Sequence, residues 1–143
     1  MQIRDIMTKQ VKTVRASATA FEAAELMSLH DVGALPVCEG DALVGIVTDR
    51  DIILRGVAPG LDLTKTEVRK VMSRDPVAIE AAAPVSDAAR RFTDLRIRRM
   101  PVIDGDRVVG MLSSDDVARK WEDDSSVLRM VKRLAPRRRI ASA

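Results

Sequence analysis

This chain has no tyrosine, one tryptophan, two phenylalanines, one histidine and one cysteine. So few rings leave little stacking surface for single-stranded nucleic acid, whose binding relies on base–aromatic contacts. The core has to be built from Val, Ile, Leu, Met and Ala. The lone Cys38 excludes an internal disulfide and fits a reducing compartment. Set in an apolar run, it reads as a small buried hydrophobe. His30 has no Cys or His at metal-ligand spacing, so no metal site is expected. No apolar run approaches the ~20 residues needed to cross a bilayer. The stretch from Met1 to Met7, interrupted by Arg4 and Asp5, lacks the apolar region of a signal peptide. A cytoplasmic location is expected. There is no glycine-rich phosphate loop and no nucleophile elbow, which leaves an enzymatic role without support and calls for no required cofactor.

What is present is 46% apolar and 31% charged over 143 residues, enough for a buried core under a solvated surface. The net charge of +3 is unevenly spread. Arg129, Lys132, Arg133, Arg137, Arg138 and Arg139 supply six positive charges with no acid among them, and the rest of the chain, with 18 basic and 21 acidic residues, carries −3. The basic character therefore belongs to the tail.

The strongest signal is internal repetition. A shift of 65 residues lays the chain on itself without a gap. Ile6-Met7-Thr8 falls on Val71-Met72-Ser73, Ala23-Ala24 on Ala88-Ala89, and Leu35-Pro36-Val37 on Met100-Pro101-Val102. Gly40-Asp41 meets Gly105-Asp106, Val44-Gly45 meets Val109-Gly110, and Asp51 meets Asp116.

Each copy opens on a short helical turn, Ile3, Ile6 and Met7 in the first and Val68, Val71 and Met72 in the second, where Thr64 and Glu67 have the spacing of a capping box. A short extended piece follows, around Val14 and Ile79. Next comes an amphipathic helix, with Val85, Ala88, Ala89 and Phe92 on one face of the second copy. Thr19 with Glu22 caps the first copy and Pro84 starts the second. Two apolar runs around Gly40-Asp41 or Gly105-Asp106 read as a hairpin. A second helix begins near Asp49 and Ser114, the first of them ending at Gly56. Each copy is thus β-α-β-β-α, and one copy alone is too small to bury an adequate core. The expected organisation is repeat 1 over 1–56, a linker over 57–67 containing Pro59-Gly60, repeat 2 over 68–120, and a C-terminal helix and basic tail over 121–143.

Both repeats leave their last strand through the same pattern: glycine, two apolar residues, a hydroxyl residue, two variable residues and an aspartate. The first copy reads Gly45 to Asp51 and the second Gly110 to Asp116. One reading is purely structural, because Thr48 with Asp51 and Ser113 with Asp116 are capping boxes. The other is chemical. A hydroxyl beside free N–H groups suits a phosphate, an aspartate one turn later can accept both hydroxyls of a ribose, and Gly45 and Gly110 would let a ligand approach the strand. Both readings remain open on the residues alone.

The repeat order, the two Pro-Val strands and the paired junctions closely resemble the CBS (cystathionine-β-synthase) domain pair, or Bateman module, over roughly residues 1–120. The chain is similar to the small stand-alone CBS proteins of actinobacteria, the hypoxic-response type among them. The resemblance implies an α+β fold in which two β-α-β-β-α repeats are related by pseudo-twofold symmetry, with the sheets packed together and the helices outside. It implies a non-catalytic regulatory module that binds an adenine nucleotide (AMP, ADP, ATP or an S-adenosyl compound) between the repeats and signals to a partner. Carried over, Asp51 and Asp116 hold ribose, Thr48 and Ser113 contact phosphate or ribose, and Val14, Ile79, Leu35, Pro36, Met100 and Pro101 line the adenine. Arg98 and Arg99, just before the second Pro-Val strand, would contact phosphate bidentately. Gly33 and Ala34, at the same place in the first copy, cannot, so the two clefts should differ.

CBS pairs often pair again through their helices, so a homodimer and an unknown protein target are the implied partners. In the tail, Val127, Leu128, Val131 and Leu134 have helical spacing, with Trp121 as an anchor. Two alternatives stay open: a ligand-independent dimeric interaction protein, and nucleic-acid binding through the basic tail, which the shortage of aromatics disfavours.

Overall fold

A computed structural model of the chain describes residues 1–136. The strands and helices come in two matching sets. The first has β1 Thr8–Lys9, β2 Val14–Arg15, α1 Ala20–His30, β3 Ala34–Glu39, β4 Ala42–Thr48 and α2 Asp49–Ile52. The second has β5 Ser73–Arg74, β6 Ile79–Glu80, α3 Val85–Leu95, β7 Arg99–Asp104, β8 Arg107–Ser113 and α4 Ser114–Lys120, followed by α5 Asp124–Leu134. Each element of the second set starts 65 residues after its counterpart.

The correspondence reaches single backbone angles. Left-handed residues occur in pairs: Gln10 (φ 56°) with Asp75 (φ 48°), Asp31 (φ 51°) with Arg96 (φ 52°), and Gly40 (φ 61°) with Gly105 (φ 63°). The two glycines turn the β3–β4 and β7–β8 hairpins, where a positive φ costs glycine little. Asp31 and Arg96 end α1 and α3 in the same left-handed cap.

Local chemistry accounts for the helices. Thr19 Oγ1 accepts the Glu22 N–H at 3.1 Å while Glu22 accepts the Thr19 N–H at 3.0 Å, the reciprocal pairing expected at the start of α1. Val85, Ala88, Ala89 and Phe92 of α3 are all buried, as their spacing requires. The lead-in of the second repeat differs from expectation: Thr64 turns its hydroxyl to Asp62 at 2.6 Å instead of capping onward with Glu67. Nor does Gly56 stop α2. The chain runs on through a π-helical stretch, Ile53–Val57, and Gly56 lies under the Leu63 side chain, whose Cδ2 would stand 2.7 Å from a Cβ at that position.

Within each repeat the outer strand is parallel to its neighbour and the hairpin is antiparallel, β2–β3–β4 and β6–β7–β8. The two lead-in strands are exchanged. β1 pairs with β8 of the other repeat, and β5 with β4. The Ala42↔Arg107 pair links β4 to β8, so six strands run in the order β2-β3-β4-β8-β7-β6, and β1 and β5, paired off this path, complete one eight-stranded sheet.

The cores follow the exchange. One gathers Ile3 and Ile6 from the first lead-in with Ile79, Val85, Phe92, Met100 and Leu112 of the second repeat. The other gathers Val68, Val71 and Met72 with Val14, Met27, Leu35, Val37 and Val47. Backbone bonds fix both crossings, Ile3 N–H to Ala83 and Val68 N–H to Ala18. Gly45 and Gly110 take their meaning here, and this corrects the sequence reading. A Cβ at Gly45 would stand 2.8 Å from the Ser73 carbonyl, and one at Gly110 would stand 2.7 Å from that of Thr8. The exchanged strand, not a ligand, fills the space the missing side chain leaves.

α5 lies on α3 and α4 and adds the fully buried Met130 to the second core. Leu134 and Trp121 pack there half-buried, whereas Leu128 and Val131 are exposed. The inward face is therefore centred on Met130, one position off the expected stripe. The charge run Arg137 to Arg139 lies outside the described residues. Among the described residues, no helix is long and apolar enough to cross a membrane.

The cleft between the repeats

Both junctions fold as capping boxes. Thr48 Oγ1 accepts the Asp51 N–H at 3.1 Å and Asp51 Oδ2 accepts the Thr48 N–H at 3.0 Å. Ser113 and Asp116 repeat this with the same two distances. The first N–H of each helix is also taken, Asp49 by the Gly33 carbonyl and Ser114 by that of Arg98. Much of the first-turn donor capacity is therefore already in use, and an anion would have to find its charge in side chains. The structural reading of the motif is thus correct, and the remaining question is whether the same side chains also face a cavity.

At the second junction they do. A cavity of about 510 Å³ is lined by Ser113 and Asp116 together with Thr8, Gln10 to Lys12 and His30 to Leu35 of the first repeat. Met111, Leu112, Arg99 and Arg119 complete it. Its walls divide by chemistry. Val11, Val32, Ala34, Leu35, Met111 and Leu112 are apolar, whereas Lys12, Arg99, Arg119, Ser113, Asp31 and Asp116 gather polar groups.

Asp116 is only 7% exposed. One carboxylate oxygen serves the cap, and the other lies 3.4 Å from Arg119 and 3.9 Å from Lys120. Arg99 begins β7 of the second repeat yet reaches the first: a Cβ on Gly33 would stand 3.3 Å from its Nη1 and 3.1 Å from Asp49 Oδ2.

The other residues singled out from the sequence are more scattered. Leu35 lines the cavity; Thr48 and Asp51 are not among its lining residues and belong to the pseudo-symmetric junction on the other repeat. Val14 and Ile79 are buried in the two cores, on the outer strands, and Met100 is fully buried in the second core. Pro36 and Pro101 are buried mid-strand, paired with Ile46 and Met111. None of these five lines the cavity. Arg98 turns away from it as well, donating to the Leu134 carbonyl at the end of α5. The expected Arg98–Arg99 pair is thus split between two tasks, because consecutive residues at a strand start point to opposite faces.

Lys12 and Arg119 were not singled out from the sequence. A signal for them exists: the 65-residue shift sets Lys12 against Val77 and Arg119 against Leu54, so two cations replace apolar residues at otherwise matched positions. His30 lines the same cavity. No group of three His, Cys, Asp or Glu side chains suited to a metal occurs among the described residues.

An exchanged pair of β-α-β-β-α units with a cavity at the strand-to-helix junction defines a class, and the family comparison agrees: the CBS domain model matches residues 3–57 and again 68–123, and the chain belongs to that family as a tandem pair. Two relatives resemble it over most of their length. The CBS domain-containing protein YhcV of Bacillus subtilis (strain 168) is 42% identical over 81% of this chain and 82% of its own. Hypoxic response protein 1 of Mycobacterium tuberculosis (strain ATCC 25618 / H37Rv) is 36% identical over 97% of both chains.

Solved structures agree. The crystal structure of Hypoxic Response Protein I with two coordinated zinc ions has a TM-score of 0.78 at 35% identity, covering 85% of this chain and 100% of that one. CBSX2 in complex with AMP scores 0.72 at 28% identity over 82% and 93% of the two chains. The CBS domain pair of MJ0100, in complex with 5′-methylthioadenosine and S-adenosyl-L-methionine, scores 0.71 at 30% identity over 83% and 94%.

Proposed function

We propose that this chain is a non-catalytic regulatory module that binds an adenine nucleotide in the cavity between its repeats and passes the occupancy on to a partner molecule. One observation carries the reading: a nearly buried carboxylate and a hydroxyl from one repeat share a 510 Å³ cavity with an apolar wall from the other. The volume lies within the range of small-molecule sites, which run to about 300–1,000 Å³. In this reading the Asp116 oxygen not used in the cap accepts from ribose hydroxyls. Ser113, whose oxygen accepts from the Asp116 N–H, still has its own hydrogen to donate. Val32, Leu35 and Met111 cover the base. The AMP bound to CBSX2 and the adenosyl ligands bound to MJ0100 support an adenine compound as ligand. Asp51 and Thr48 offer a second, pseudo-symmetric position. Signalling requires that the ligand bind two states of the protein unequally, and a cavity walled by both repeats provides for that, since any change in their mutual angle changes the cavity.

Calorimetric titration with AMP, ADP, ATP and S-adenosylmethionine tests the proposal. Binding by the wild type and its loss in Asp116→Asn, with the melting transition retained, is the expected result. Equal affinity in the wild type and in the Asp51→Asn/Asp116→Asn double variant would overturn it.

A second reading has its own observation. Phe21, Ile53, Leu54 and Val57 are exposed on the first repeat, whereas α5 covers the helices of the second. A homodimer through the uncovered helices fits that asymmetry, and symmetric pairs are the commonest assembly. A dimer whose association constant is the same with and without nucleotide would favour a purely structural role.

A further inference from the structure

The first repeat carries an open groove of about 960 Å³ between β2 and α1, which shares no lining residue with the cavity between the repeats. Val14, Ala18, Leu26 and Leu29 give it apolar walls. Its charged groups are Glu22 and Glu25 on α1 and Arg15 on β2. Glu22 gives one carboxylate oxygen to the cap of α1. Neither glutamate makes an ion pair among the described residues.

The second repeat shows what the same place accepts. There Arg91 Nη1 donates to the Ala78 carbonyl at 2.6 Å, carrying a guanidinium from α3 to the backbone beside β6. Arg90, one residue earlier, pairs with Asp87 at 2.7 Å. The 65-residue shift sets Thr13 against Ala78, Glu22 against Asp87, Glu25 against Arg90 and Leu26 against Arg91. The first repeat therefore keeps the carbonyl and the acid and lacks both arginines. Leu26 has no hydrogen to give the Thr13 carbonyl. Glu25 puts a second negative charge where the other copy has a positive one, and Arg15 offsets only one of the two acids.

We infer that this groove is a receptor for an arginine-bearing extended segment, and that the segment is the C-terminal stretch of a second copy of this chain, beginning at Arg137. β2 opens the strand order and has no further strand beyond it, so an extended partner can lie along its edge. One guanidinium would take the Thr13 carbonyl as Arg91 takes that of Ala78. A second would answer Glu25 through charge-assisted bonds. Arg137, Arg138 and Arg139 supply these groups, and Ile140 supplies an aliphatic side chain for the Leu26 and Leu29 wall. Pro136, just before them, lines a recess with Arg98 and Ser114 of the second repeat. The groove belongs to the first repeat, which favours pairing between copies over pairing within one.

The test uses a labelled synthetic peptide with the sequence of residues 136–143. The receptor is the full-length chain carrying Arg137→Ala/Arg138→Ala/Arg139→Ala, so that its own tail does not compete. Fluorescence anisotropy should show saturable binding that weakens as salt rises. Leu26→Arg in the receptor should fill the groove from within, as Arg91 does, and lower peptide affinity at least about tenfold, one decade being 1.4 kcal/mol. Glu25→Arg, at an exposed position, should lower it similarly by reversing the charge, and serves alone if Leu26→Arg does not fold. A peptide with alanine in place of the three arginines should bind at least about tenfold more weakly.

Absence of saturable binding at low salt overturns the inference. So does equal affinity for the alanine peptide. Peptide affinity unmoved by Glu25→Arg and by folded Leu26→Arg also overturns it, because the arginines would then be held elsewhere on the chain.

Discussion

Lys120 Nζ donates to the backbone carbonyl of Ile6 at 3.0 Å, tying the last turn of α4 to the lead-in of the other repeat. Its counterpart Arg55 does the same on the opposite side, reaching the carbonyls of Met72 at 2.9 Å and Val71 at 3.4 Å. The two halves are thus joined less by a flat interface than by an exchange of their first residues, each pinned by a cation from the helix it runs under. Ile3, fully buried, sits in the second core.

The exchange makes a directional prediction. Ile3→Ala should cost about 2–5 kcal/mol, as truncation of a buried aliphatic does, and the damage should fall on the far repeat. Trp121, packed half-buried against that core, should report it by fluorescence at lower urea than in the wild type. In hydrogen exchange, amides of β6 and β7 should lose protection before those of β3. The mirror substitution, Val68→Ala, should reverse the order. Loss of β3 protection first in Ile3→Ala would mean that each lead-in serves its own repeat.

The capping boxes predict non-additivity. Ser113 and Asp116 hold each other through two bonds from backbone N–H to side-chain oxygen, of 3.0 and 3.1 Å. Ser113→Ala should cost about 1 kcal/mol in urea unfolding. Asp116→Ala removes the return bond, but the double variant should cost less than the sum, because each single change already opens the box. Strict additivity would show that the two bonds form independently.

Much of this was legible in the sequence because repetition leaves a register that needs no structural knowledge. The shift that aligned Pro36 with Pro101 also aligned every strand start, and Val85, Ala88, Ala89 and Phe92 gave the buried face of α3 directly. Fold and family followed. The crossing of the lead-ins was not legible. The pattern of Ile3 and Ile6 says that both are buried, but nothing in it says against which copy, since the two copies offer the same apolar partners. The roles of Gly45 and Gly110 were misread for the same reason. Periodicity also cannot tell which face of a buried strand meets a cavity. Val14, Ile79 and Met100 are core residues, while Lys12, two positions before Val14, is at the cleft.

Arg98 provides a test of how α5 is held. Its guanidinium donates to the carbonyl of Leu134, satisfying one of the carbonyls that a helix end leaves without a partner. Asp123 fixes the other end by accepting the Ser126 N–H at 3.1 Å. That bond, followed by the Ser125 hydroxyl, holds its carboxyl below the ordinary aspartate range. A lowered carboxyl contributes its stabilisation above the unfolded value and loses it as pH falls through the folded one. The start of α5 should therefore loosen as pH falls through the folded value of Asp123, and Arg98→Ala should loosen its end at neutral pH. Exchange of the α5 amides reads both effects. The β3 amides should not respond to either change.

Cys38 gives the corresponding prediction at alkaline pH. The thiol is buried on β3 at 6% exposure. Burial first, and then the charge of Asp41, pushes its pKa above the usual thiol range, because both disfavour the thiolate. Since the thiolate is the reactive form, a disulfide reagent at mildly alkaline pH should react slowly with the native chain and promptly in denaturant. The linkage sign follows. The folded state keeps a proton that the unfolded state releases, so this contribution is fully present below the unfolded thiol's pKa and declines as pH rises through the folded one. Cys38→Ala should flatten that alkaline decline in urea midpoints, whatever it costs in packing at neutral pH. Labelling of native Cys38 at the rate of a free thiol would contradict both the burial and the raised pKa.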